Sequence, residues 1–150
     1  AQPRSNGCAY ADSPTHIPIQ RMANVSLAPG PDGTSAPDLI GEVEDGLYVV
    51  GDKSWSIDQQ RFNFQFTAQR FYRIRHGQLV GQVKDVAYQG RTPDFWASLD
   101  GLGGPSTWRL GGAVNCGKAQ PGQTAPVSHG APTTRFRGVN VLRTLEEGSR

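Results

Sequence analysis

The chain has 150 residues, 36% of them hydrophobic, with 19 glycines and 11 prolines. That length supports one domain, residues 1–150, with a real core, and the glycine and proline content favours strands and turns over a helix bundle. No apolar run approaches the roughly 20 residues a membrane helix needs, no apolar signal-peptide core is visible, and a net charge of +2 by itself implies no nucleic acid.

The charge is unevenly divided. Residues 1–60 carry three basic and eight acidic side chains, a balance of −5, and residues 61–150 carry twelve and five, a balance of +7. Either the halves interleave in the fold, or a basic face meets another subunit or domain. Without a secretory signal, Cys8 and Cys116 read as thiols in a reducing cytoplasm rather than as a disulfide. Ala1 is not an initiator methionine, and the first twenty residues read as the middle of a longer polypeptide.

In chain order, Ser5-Asn6-Gly7 is a turn signal, and Pro14, His16 and Pro18 form an irregular entry, with His16 a solvent-facing loop residue or a ligand. Met22 to Ser26 reads as a short strand, and Pro29 to Gly33 as a loop. Ser35 is placed to cap a helix with Pro37 in its first turn and Asp38 three residues after the cap. Leu39, Ile40 and Val43 share its apolar face, and Gly46 is expected to end it. Leu47 to Val50 is a strand.

Phe62, Phe64 and Phe66 alternate with Asn63 and Gln65, the period of a half-buried strand, and Ala68 continues that face. Phe71 to Arg75, Leu79 to Val83 and Val86 to Tyr88 follow as strands, with His76-Gly77 as the first hairpin turn. Arg70, Arg73 and Arg75 lie among aromatics. That is a pattern for single-stranded nucleic acid, or simply aromatics facing the core and arginines facing water. Thr92 is expected to cap a second helix with Pro93 at its start, an apolar face of Phe95, Trp96 and Leu99, and a stop at Gly101 to Gly104. Trp108 to Leu110 is a strand edge, Arg135 to Leu142 the last strand, and the residues from Thr144 a frayed tail. The fold class is mainly β, an antiparallel meander with two short helices.

Between them lies Gly111 to Pro132, with five glycines, three prolines, Cys116 and His129. Proline lacks the amide donor and glycine loses much backbone entropy, so this stretch is expected as a loop or turn-rich edge. Gly112, Gly117 and Lys118 have phosphate-loop spacing, but Ala119 stands where the magnesium-holding hydroxyl belongs, and the prolines that follow start no helix. Cys116 with His129 has the residue types of thiol catalysis. A lone cysteine makes no zinc site, which needs three or four ligands. An inert, buried Cys116 is the remaining reading.

The run G-x-N-C-G-K-x-Q-P-G-Q, then P-V-S-H-G-x-P, then R-F-R-G-V at Arg135 to Val139 resembles the C-terminal part of the TldD/PmbA family. These are the so-called modulators of DNA gyrase, which are metallopeptidases. Arg21-Met22-Ala23-Asn24 followed by Leu27 to Gly30 is similar to a second block of that family. The matches keep their order and span nearly the whole chain.

The resemblance implies that Cys116 is a zinc ligand, while the H-E-x-x-x-H motif carrying the two imidazoles and the acid–base glutamate has no counterpart in this sequence. It implies the C-terminal part of a cytoplasmic zinc metallopeptidase acting on peptides or unfolded proteins, paired with a second TldD/PmbA-type subunit and inactive as an isolated domain. Arg21 and Asn24 would orient substrate or hold structure. His129 would touch substrate or form a turn. Lys118 would lower the thiol pKa or be solvated. An extended peptide would suit an exposed edge strand. The alternatives are a non-catalytic partner subunit with an inert Cys116 and a single-stranded nucleic-acid binder.

Overall fold

A computed structural model describes residues 8–118 and 121–144. The Ser5-Asn6-Gly7 turn, Ala119, and the tail beyond Thr144 lie outside them. In chain order the elements are β1 (Ala9–Tyr10), β2 (Ile19–Gln20), α1 (Ala36–Gly41), β3 (Asp45–Val50), β4 (Trp55–Ile57), β5 (Asn63–Thr67), β6 (Arg70–Arg75), β7 (Gln78–Val83), β8 (Val86–Arg91), α2 (Thr92–Ala97), β9 (Leu99–Leu102), a 3-10 turn (Pro105–Thr107), β10 (Arg109–Lys118), β11 (Gln123–Ala131), β12 (Thr134–Phe136) and β13 (Asn140–Arg143). All strand pairs are antiparallel. The expected class, mainly antiparallel β with two short helices, is the class observed.

The meander is split over two sheets. One has the order β4-β5-β8-β13 and the other β3-β6-β7, while β1-β2, β9-β12 and β10-β11 are two-stranded. The β6–β7 hairpin therefore leaves the first sheet between β5 and β8. Its turn, His76-Gly77, has both residues at positive φ, 47° and 73°. That is the twist a two-residue hairpin requires.

Of the period-two phenylalanines, Phe64 and Phe66 form the core face of β5, whereas Phe62 precedes the strand and is exposed. Phe64 is buried with Ala68, and Phe71 and Ile74 are the buried residues of β6. Phe64 stacks on Phe66 at 4.8 Å and meets the edge of Phe95 at 5.1 Å, and Phe95 stacks on Phe136 at 4.0 Å. Helix α2 thus closes one end of the first sheet with an aromatic cluster.

Helix α1 has the predicted capping box. Ser35 Oγ accepts from the Asp38 amide, and the Asp38 carboxylate accepts from the Ser35 amide at 2.7 Å. The helix ends at Gly41, not at Gly46. The β6–β7 turn docks on the carbonyls of Val43 and Glu44, and Gly46 is drawn into β3 opposite Ile74. Helix α2 also departs from expectation. Arg91 is its N-cap, without a side-chain bond, because the Thr92 hydroxyl donates to the Arg61 carbonyl. It stops at Ala97, and β9 runs through Gly101 to pair with β12. The single strand expected from Arg135 to Leu142 breaks at Gly138, whose φ is 63°, so β12 and β13 join different sheets.

Part of the charge asymmetry is internal. Asp45 pairs with Arg73 and Arg75, Glu44 with His76, and Glu42 with Arg135. Acids of the first half thus meet bases of the second. In β6 Phe71 is buried, and Arg73 and Arg75, farther along the same face of the strand, engage Asp45.

Candidate metal-ligand site

The largest departure from the sequence reading is at Gly111 to Pro132. It is not a loop but most of a long hairpin, in which Arg109 pairs with Ala131 and Lys118 with Gln123. The prolines fit because of where they fall. Pro121 is in the turn and Pro132 follows β11. The amides of Thr124, Ser128 and Gly130 point away from β10, and Pro126 holds the matching outward position, where a strand can lack a donor. The glycines permit close approach. A Cβ on Gly130 would lie 1.8 Å from the Trp108 ring, and one on Gly112 2.6 Å from the Val127 carbonyl oxygen.

The expected strand at Met22 to Ser26 is not a strand. Residues 21–30 have no regular structure, yet this segment with residues 12–20 covers one edge and face of the hairpin. Side chains replace a third strand. Asp12 Oδ2 accepts from the Thr124 amide at 2.8 Å, Asn24 Oδ1 from the Ser128 amide at 2.9 Å, and Ser26 Oγ from the Gly130 amide at 2.9 Å. The Leu27 amide donates to the Gly130 carbonyl, and Trp108 Nε1 donates to the Leu27 carbonyl at 3.1 Å. Asp, Asn and Ser side chains make such bonds in preference to entering a ladder, which is why the segment stays irregular.

Cys116 sits at a β-bulge. Ala113 pairs with Val127 and Cys116 with Ala125, so three steps on β10 span two on β11. In a straight ladder continued from Ala113, Cys116 would oppose Thr124 on the other face. The extra residue re-aims it, and it shares the face of Ala125 and Gln123, both buried. Cys116 itself is half-buried, and neither cysteine is in a disulfide.

Arg21 lies beside it, only 5% exposed. Its amide donates to the Cys8 carbonyl, and its Nη2 donates to the Cys116 carbonyl at 2.6 Å. Its Nε is buried without a hydrogen-bond partner. Lys118 Nζ donates to the Gln20 carbonyl and side-chain oxygens. Gln123 is buried and holds the Ile17 carbonyl at 2.9 Å. Asp12 is kept below the ordinary aspartate range, first by the Thr124 amide and then by His16, whose Nδ1 lies 2.6 Å from Oδ1. His16 is thus a loop residue tied to Asp12.

His129 is elsewhere. It pairs across from Gly111, and its Nδ1 lies 2.9 Å from the Val25 carbonyl oxygen and 3.3 Å from the Val25 amide nitrogen. It stands four residues along β11 from Ala125, about 13 Å at the rise of a strand, too far to share a metal with Cys116. The fold therefore groups Arg21, Cys116 and Lys118 at one end of the hairpin and Asn24 with His129 farther along. A shallow depression of about 460 Å³ beside the bulge is lined by Asn24, Gly112, Val114, Pro126 and Ser128 among others.

The sequence reading missed Asp12, Ser26, Gln123 and Trp108. Their bonds cross up to 112 residues of chain. The one available signal was a proline inside an alternating stretch, which marks an edge whose partner is not a regular strand.

Among the described residues no group of three His, Cys, Asp or Glu side chains could hold a metal ion. The donor set fits a single thiolate contribution from Cys116 and no complete centre.

Residues 2–143 match the family described as the PmbA/TldA metallopeptidase C-terminal domain, and the chain belongs to that family. Among its relatives is a metalloprotease of Methanothermobacter thermautotrophicus, 37% identical over 124 residues, covering 83% of this chain and 26% of the relative. A metalloprotease of Archaeoglobus fulgidus is 34% identical over 126 residues, covering 81% and 27%. A metalloprotease TldD homolog of Buchnera aphidicola is 24% identical over 142 residues, covering 95% and 28%. The chain thus spans about a quarter of the length of the curated relatives it matches. A metallopeptidase family implies a metal. No helix among the described residues is long and apolar enough to cross a membrane.

Proposed function

We propose that this domain supplies the cysteine ligand of a zinc-dependent metallopeptidase acting on peptides and unfolded proteins, with the imidazole ligands and the acid–base glutamate contributed by residues outside this chain. The observation that carries the reading is the inward-facing Cys116 at a bulge, held through its main chain, in a domain of a metallopeptidase family. Thiolate is a good zinc ligand, and three protein ligands leave a position open. Bound zinc supplies Lewis acidity for peptide hydrolysis.

The chain's own residues would shape the cleft. The outer edge of β10 carries no third strand among the described residues, and Gly111 and Gly112 let another backbone approach it. An extended peptide adds there by β-augmentation, beside the depression at Asn24 and Val114. Arg21, Asn24, Lys118 and His129 serve substrate binding by fixing that hairpin against residues 17–27. The isolated domain is inactive, and the complete protein works in the cytoplasm, paired with a second subunit of the same family.

The test is the zinc content of the complete polypeptide beside its Cys116→Ser variant. Near-stoichiometric metal that the variant loses, together with peptide cleavage, supports the reading. Metal-free protein in both cases under reducing conditions overturns it and leaves a non-catalytic partner subunit.

A further inference from the structure

We propose that Arg21 is a positioning residue for Cys116, holding the bulged main chain so that the thiol stays on the inner face of the hairpin. This rests on the reading of Cys116 as a metal ligand. Arg21 is nine-tenths buried and makes no ion pair among the described residues. Among the described residues its one side-chain hydrogen bond is to the Cys116 carbonyl. A buried guanidinium loses several kcal/mol of hydration, and one carbonyl with an orphaned Nε is poor compensation. Stability alone therefore gives a weak reason for an arginine there.

Geometry gives a better one. The bulge leaves Val114 and Asn115 outside the regular ladder, so the main chain that enters Cys116 has fewer constraints than the paired residues beyond it. Val114, in the bulge, is 86% exposed. Arg21 reaches the bulge from a different part of the chain, anchored at its own amide by the Cys8 carbonyl. Lys118, two residues on, is fixed to Gln20 by the same short segment. The tie from Arg21 is the one that ends on the cysteine itself. A partner that orients a ligand in this way changes metal affinity without touching the metal.

The test uses cobalt(II) as the probe metal in the complete polypeptide, with affinity and the thiolate-to-cobalt charge-transfer band as readouts. Wild type is compared with C116S, R21M and R21K. The expected result is a band that C116S abolishes. R21M weakens cobalt binding about 10–100-fold and dims the band, and R21K, which restores a donor, recovers most of both. A band that survives C116S removes the ligand reading and this inference with it. A band lost in C116S but unchanged, with unchanged affinity, in folded R21M overturns the role of Arg21 alone. Should R21M not fold, R21K decides. Affinity within tenfold of wild type supports the inference, and a folded R21K as weak as C116S overturns it.

Discussion

Around Phe64 the sheet is closed by rings, and along β11 it is closed by hydrogen bonds. In the first region Phe64, Phe66, Tyr88, Phe95 and Phe136 form a connected cluster whose touching rings lie 4.0 to 6.4 Å apart. In the second, Asp12, Asn24, Ser26 and the Leu27 main chain meet outward-facing groups of one strand, and among the described residues Ala125 is the one buried hydrophobic side chain of the hairpin. Apolar packing is non-directional and tolerates small shifts. Hydrogen bonds are directional and hold a main chain at a fixed place. The thiol is on the directional side, where a ligand position must be exact to a fraction of an ångström for a metal to use it.

The sharpest way to break this contrast is to remove a ring. Phe64→Ala in the complete polypeptide is expected to destabilise the domain by about 3–5 kcal/mol, since it deletes a buried aromatic and leaves a cavity. Chemical denaturation reads it. A loss under about 1 kcal/mol would mean the rings are not what closes that sheet.

Gly130→Ala comes next and tests the hairpin by crowding it. The new methyl would overlap the Trp108 ring, and the ring cannot move without breaking its bond to the Leu27 carbonyl. Overpacking of this kind costs about 1–3 kcal/mol. Thermal unfolding together with amide exchange at Leu27 would show it, and an unchanged exchange rate there would contradict the coupling.

Asn24→Ala is smaller again. It removes the acceptor of the Ser128 amide, which faces an exposed side. The expected loss is about 0.5–1.5 kcal/mol, with faster exchange confined to Ser128 and its neighbours. A global loss equal to that of Phe64→Ala would erase the distinction between the two regions.

The same contrast decides what was legible in the sequence. Phe62 to Ala68 could be read because its partners lie on alternate residues of one strand. The Ser35 capping box could be read because both partners are three residues apart. Gly111 to Pro132 could not, because local composition argues against a strand there. What permits the strand is its edge position and the side chains of Asp12, Asn24 and Ser26, about a hundred residues away. The two motif blocks at Arg21 to Asn24 and at Cys116 to Lys118 were each visible. That one closes on the other, through Arg21 to the Cys116 carbonyl and Lys118 to the Gln20 carbonyl, needed the fold. Gly46 and Thr92 misled for a related reason, since tertiary bonds from the His76-Gly77 turn and from the Arg61 carbonyl overrode local helix signals.

The least expensive perturbation is acid, and both regions hold an aspartate that responds to it. Burial alone would raise the Asp100 carboxyl, but hydrogen bonds from Arg135 and Arg137 outweigh it and hold it below the ordinary aspartate value. Asp12 is lowered chiefly by the Thr124 amide and then by His16. For a carboxylate whose folded pKa is depressed, the stabilisation is fully present above the unfolded value of about 3.9 and disappears as pH falls through the lower, folded one. The two should nonetheless differ in what they release. Arg135 keeps a second carboxylate, Glu42, and a carbonyl, Leu39, so the body stays joined when Asp100 protonates. Asp12 protonation leaves the Thr124 amide with a weaker acceptor at the hairpin end that carries Cys116. Exchange at Thr124 is therefore expected to quicken as pH falls below about 4, after correction for intrinsic exchange, before any change at Phe64 or Ala87. Asp12→Asn should make that step vanish. If Thr124 keeps constant protection through that range, the acid-sensitive latch at this end of the hairpin is not Asp12.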